Sequence, residues 1–158
     1  MSGTAICRRR LLIERVEGLD RHRGAPLLFF AHGVGTLTMR TVDLTPSQIH
    51  DLKRVGLWWS DYEPELPHPR EYVDQAWDPS EHDLAITYLE RCYYLTRIAC
   101  GYSWCRFGCE PMGGMGHGEY TDGVWLFPEG FLHYVRHQAM KPPADFLEHM
   151  RKMNFRVL

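Results

Sequence analysis

Six of the eighteen residues 101–118 (GYSWCRFGCEPMGGMGHG) are glycine. That density excludes a helix, since each interior glycine costs about 0.5–1 kcal/mol relative to alanine. The same stretch holds Trp104, Cys105, Phe107 and Cys109, which is too apolar for a disordered linker. The segment must therefore be an ordered loop or knuckle, and residues 101–150 form the distinctive half of the chain.

Beyond the knuckle the chain reads as turn, strand and helix. Asp122-Gly123 is a turn signal, because Asp bonds its own backbone and Gly supplies positive φ. Residues 124–127 (VWLF) read as a short strand, and Pro128 at a first helical position, with Glu129 at the positive helix end, predicts a helix to about Gln138. Phe131, Leu132 and Val135 should face the sheet. Lys141-Pro142-Pro143 breaks that helix, residues 144–152 form a last one, and residues 155–157 end the chain as a short strand.

Upstream, residues 5–17 fit an edge strand or a short helix, and residues 26–30 with 35–42 read as a hairpin. Thr45-Pro46-Ser47-Gln48 has the form of a capping box, which predicts a helix running toward Gly56. Residues 58–70 carry three prolines and no period, so they form an irregular connection. From Pro79 a helix is predicted with Ser80 as N-cap and Leu84, Ile86, Tyr88, Leu89 and Cys92 on its apolar positions. Early strands, interspersed helices and no regular βαβ alternation predict an α+β fold. We expect a single domain over 1–158, with a small, mostly antiparallel sheet and three to four helices.

The 158 residues include 18 Lys+Arg against 20 Asp+Glu, a net charge of -2, so no general field attracts nucleic acid or an anionic membrane. The apolar stretch from Ala25 to Ala31 falls far short of the roughly 20 residues a spanning helix needs. Five cysteines and no signal-like start favour reduced thiols or metal ligands over a disulfide framework, which places the chain in the cytoplasm.

Cys105 and Cys109 are separated by three residues in CRFGC, and His133 and His137 by three on the predicted helix. The spacing C-x3-C-x23-H-x3-H resembles a Cys2His2 zinc site. Positions i and i+4 share a helix face, so two imidazoles can reach one ion, while a glycine-bearing turn lets two thiolates converge. The 23 intervening residues exceed the usual 12–15. The plainer alternative is two small buried thiols and two surface histidines. If the ion kept an open position, His117, Glu119 and Asp122 are the candidate catalytic groups, with His117 or Glu119 as general base beside a bound water. A polar turn before a strand explains the same three residues.

A second cluster comprises Trp58, Trp59, Tyr62, His68, Tyr72 and Trp77, interleaved with acidic residues. Such a strip could bind a cationic partner or ligand, or supply the aromatic centre of a protein interface. Aromatics that simply fill a core are the commoner case. Single-strand nucleic-acid binding would need interleaved Lys or Arg, and here they are largely acidic. No GxxxxGK[ST], GxGxxG, GxSxG or HExxH pattern occurs.

Ser103-Trp-Cys-Arg106, then Thr121-Asp-Gly-Val-Trp-Leu-Phe-Pro-Glu-Gly-Phe-Leu-His-Tyr-Val135, and the later Pro143-Ala-Asp-Phe146 resemble a small bacterial protein family with the pattern SxCR…TDGxWxWPEGLxHYV. The resemblance spans about residues 101–148 and implies a bacterial or phage origin, without an activity. Phe127 and Phe131 stand where that pattern has Trp and Leu, and both keep bulky apolar character.

These readings point to a binding or interaction module with a structural zinc at Cys105, Cys109, His133 and His137, rather than to an enzyme. Two alternatives stand beside it: a small metal-dependent hydrolase with an open zinc site, and an immunity or inhibitor-type protein that binds a basic partner through the acidic aromatic loop.

Overall fold

The computed structural model describes residues 39–96, 102–109 and 114–158. Strand β1 (Thr41–Val42) is followed by helix α1 (Pro46–His50), β2 (Lys53–Arg54) and a 3₁₀ turn at Pro69–Tyr72. Helix α2 (Pro79–Glu90), β3 (Tyr93–Leu95), β4 (Glu119–Thr121), β5 (Trp125–Pro128), α3 (Phe131–Gln138) and α4 (Ala144–Lys152) complete the order. The expected elements at 5–17 and 26–30, most of the strand at 35–42, and Cys7 and Cys100 lie outside the described residues. So does part of the expected single domain over 1–158.

Among the described residues, four α-helices and a five-stranded sheet make an α+β architecture, with strand order β1-β3-β4-β5-β2. The sheet is mixed. Its three central strands pair antiparallel, whereas β1 joins β3 and β2 joins β5 in parallel. The edge strands reach partners far along the chain, and such long connections permit parallel pairing where a tight hairpin cannot.

β5 explains the layering. Trp125 and Phe127 point into the main core, while Leu126 packs in a smaller cluster with Ile49 and Leu95. A strand buried on both faces reads as an unbroken apolar run, as WLF does. Phe146 of α4 is the hub of the main core, with ring centroids 5.0 Å from Trp125, 5.7 Å from Phe127 and 5.9 Å from Phe131. α3 buries Phe131, Tyr134 and Val135. Leu132, expected on that face, is only partly buried, and Tyr134 takes the place.

Several boundaries move for local reasons. α1 keeps its capping box, with Gln48 Oε1 accepting from the Thr45 amide at 2.9 Å, but ends at His50 rather than near Gly56 because residues 53–54 are drawn into the sheet beside β5. Gly56 then turns the chain at φ 81°, where a Cβ would stand 2.5 Å from the Phe131 ring. α2 is capped by Asp78, whose carboxylate accepts from the Glu81 amide at 2.9 Å, and not by Ser80. Pro128 closes β5 instead of opening α3, and Glu129 does not serve the helix end. Its carboxylate accepts from the amides of His117 (3.1 Å) and Gly118 (3.0 Å). α4 matches residues 144–152, but 155–157 are not a strand.

Glu81 ties α2 to α4. It accepts from Arg151 Nε at 2.6 Å and from Trp77 Nε1 at 2.7 Å. The Arg151 hydrogen bond, seconded by Trp77, holds the carboxyl below its ordinary value near 4.5. A lowered folded-state pKa gives stability that is present above that value and lost as pH falls through the lowered one. Glu81→Gln should therefore flatten the acid limb of a stability-versus-pH curve below about pH 4.5. Urea unfolding at pH 7 and pH 3 reads this, and parallel curves for variant and wild type would refute it.

Candidate metal centre

CRFGC closes on itself. The Gly108 amide donates to the Cys105 carbonyl at 2.9 Å, and Gly108 takes φ 76°, a conformation that favours glycine. The turn brings Cys109 Sγ to 3.2 Å from Cys105 Sγ. Within it the Phe107 amide points at Cys105 Sγ at 3.4 Å, a donor that would support negative charge on the sulfur.

Helix α3 supplies the other side. His133 Nε2 lies 3.1 Å from Cys109 Sγ, and the donor atoms of Cys105, Cys109 and His133 all lie within 4.8 Å of one another. The helix is anchored against the knuckle by Tyr134, whose hydroxyl accepts from the Arg106 amide at 3.1 Å. Burial pushes the Tyr134 phenol above its ordinary range and keeps it protonated. Arg106 fastens the knuckle from outside, donating to Trp104 O (2.7 Å), Ser103 Oγ (2.9 Å) and Trp59 O (3.2 Å). At its far end α3 stops at Ala139 in the left-handed region. There the Asp74 amide donates to the Ala139 carbonyl at 3.1 Å.

Three of the four residues expected to hold an ion are thus brought together. His137 lies one turn further on, exposed, with its ring centroid 5.1 Å from that of His133 and outside the group of three. Gln138 is a neighbour that sequence reasoning misses: its Nε2 lies 3.3 Å from Cys109 Sγ. Only its place five residues after His133 hints at this. Arg106 and Tyr134 are missed as well, because a clamp between a loop and a distant helix leaves no pattern in spacing.

The candidate catalytic residues do not join this group. His117 packs edge-on against Tyr102 at 5.1 Å, and its Nδ1 is buried. Glu119 pairs with Arg54 at 3.3 Å. The Asp122 side chain is only 1% exposed and accepts from Tyr88 Oη, Val124 N and Trp125 N. These bonds hold a hairpin turn, which is the plainer of the two readings of Asp122-Gly123.

The aromatic strip divides. Trp58 and Trp77 enter the main core and Tyr72 packs against it. His68 caps the 3₁₀ turn by accepting from the Arg70 amide at 3.1 Å. Burial, then the Arg70 charge, lower its pKa. Trp59 and Tyr62 remain exposed beside Asp61, Glu63 and Glu65. Among the described residues, no helix is long and apolar enough to cross a membrane.

Known protein families, curated proteins and solved structures give no match to this chain.

Proposed function

We propose that this protein is a binding or interaction module whose C-terminal half is organised by a structural zinc ion. Cys105, Cys109 and His133 are its ligands, and His137, one turn further along α3 and outside that group, is the fourth ligand the spacing predicts. The convergence of two sulfurs and one imidazole nitrogen within 4.8 Å carries this reading. A borderline-soft ion with a preference for thiolate and imidazole suits that donor set.

Zinc–sulfur bonds of about 2.3 Å and zinc–nitrogen bonds of about 2.0 Å give tetrahedral edges of about 3.5–3.8 Å. The edges here are 3.2 and 3.1 Å. An ion would spread the donors by about half an ångström, which Cys109, exposed and next to Gly108, can accommodate.

An open-site hydrolase is less well supported, since it needs a base beside the ion. His117 and Glu119 stand outside the group, and Glu119 is paired elsewhere. The exposed residues Trp59 and Tyr62, with Asp61, Glu63 and Glu65, are the surface we assign to a basic protein partner. That surface keeps the immunity or inhibitor alternative as a form of the same module. The resemblance to a bacterial family fits a module of this size and adds no activity.

Elemental analysis of protein purified without added metal should find one zinc per chain. Cys105→Ser and His133→Ala should each lose it and lower Tm by several degrees, because structural metal binding is folding free energy. His137→Ala should lose zinc as well if the imidazole completes the set. Full zinc occupancy in Cys105→Ser would eliminate this ligand set, and a water retained on the ion in His137-intact protein would favour the hydrolase.

A further inference from the structure

We propose that Cys105 and Cys109 form a reversible dithiol that hydroperoxides oxidise to a disulfide, with Cys109 the sulfur that reacts first. The assignment goes beyond the metal reading and holds with or without a bound ion. Zinc held by the two sulfurs would be released by the same step.

Accessibility sets the order of the two sulfurs. Cys109 is exposed, whereas Cys105 is 2% exposed. Their sulfurs stand 3.2 Å apart, so closing to the 2.03–2.05 Å of a disulfide requires a movement of about 1.2 Å. Gly108, immediately before Cys109, has φ 76° and nothing within 4 Å of where a Cβ would be, so the backbone at that point of the turn is not packed against a neighbour. His133 Nε2 lies 3.1 Å and Gln138 Nε2 3.3 Å from the Cys109 sulfur. An exposed thiol beside a resolving thiol is the arrangement found at redox-sensing cysteines. Cys92 is the contrast within the same chain: it is buried in the core, and burial raises its thiol pKa.

The chemistry balances in two steps. The Cys109 sulfur takes the distal oxygen of the hydroperoxide, the O–O bond breaks, and the thiol proton leaves on the alcohol or water, giving a sulfenic acid. The Cys105 sulfur then attacks the Cys109 sulfur, the S–O bond breaks, and the hydroxyl departs with the Cys105 proton as water. Two thiols and one hydroperoxide become one disulfide, one alcohol or water, and one further water.

The test uses the full chain, reduced under anaerobic conditions, in metal-free and zinc-loaded portions, each treated with stoichiometric hydrogen peroxide. Cleavage after Arg106 separates the two cysteines into a linked peptide pair that dithiothreitol releases, and because the 98–106 fragment also carries Cys100, the experiment is run on Cys100→Ser protein so that the linked pair reports Cys105 alone. In the metal-free portion this linkage should form at least about tenfold faster than any oxidation of Cys92. Cys105→Ser should leave a dimedone-reactive sulfenic acid on Cys109, and Cys109→Ser should leave Cys105 reduced. Intact thiols at 105 and 109 in the metal-free Cys100→Ser protein, or linkage of Cys109 to a different cysteine, would overturn the proposal. Linkage in protein that never binds zinc would sink the metal reading and leave this one standing. Zinc binding without linkage in the metal-free portion would do the reverse.

Discussion

Asp122→Ala should lower the unfolding free energy by about 3–5 kcal/mol, the range seen when one partner of a buried charged network is removed. At about 3 °C per kcal/mol for a domain of this size, Tm should fall by roughly 9–15 °C. The carboxylate accepts from Trp125 N at 2.7 Å, Val124 N at 2.8 Å and Tyr88 Oη at 2.6 Å, and pairs with His149 Nε2 at 3.2 Å. It therefore joins the β4–β5 turn to α2 and α4 at once. Alanine leaves a buried phenol and two turn amides without that acceptor. Asp122→Asn, which keeps one acceptor oxygen, should cost less than the alanine variant. Thermal melts of the two variants measure the difference. A Tm within about 2 °C of wild type for Asp122→Ala would show that the hairpin is held by the ladder alone.

Trp58→Ala should cost about 3–5 kcal/mol, and Trp59→Ala no more than about 1 kcal/mol, although the two residues are adjacent. Trp58 is 6% exposed and stacks on Phe131 at 6.2 Å, with Tyr72 at 5.6 Å and Tyr134 at 5.9 Å around it. Removing it opens a cavity beneath α3, whose far side carries His133. Trp59 is 39% exposed, and it is its backbone carbonyl that holds Arg106, which alanine retains. Denaturant midpoints of the two variants separate the roles. Equal midpoints would mean that Trp58 is not part of the core that supports the Cys105, Cys109 and His133 cluster.

Local signals carry well where one residue type has one use. The capping box at Thr45, the last helix at residues 144–152 and the turn at Asp122-Gly123 are all legible, because each is decided by hydrogen bonds within four residues. Signals that depend on a partner elsewhere mislead. Pro128-Glu129 has the form of a helix start, yet the backbone pairs with β4 through Pro128, and the Glu129 carboxylate is taken by two amides of the 117–118 turn. The aromatic strip at 58–77 has no period, so nothing local could say that Trp58 and Trp77 turn inward while Tyr62, 93% exposed, turns out.

The candidate centre divides along the same line. By sequence alone, residue chemistry and the i, i+4 spacing marked out two thiols in a glycine turn and two imidazoles on one helix stripe, and so the kind of ion they suit. Only the tertiary structure decided which of them meet. The Tyr134–Arg106 bond and the packing of α3 on Trp58 bring His133 to Cys109 and leave His137 one turn beyond. That outcome is set by helix phase and depth of packing, which depend on the side chains of distant segments and are not written in the spacing of the ligands themselves.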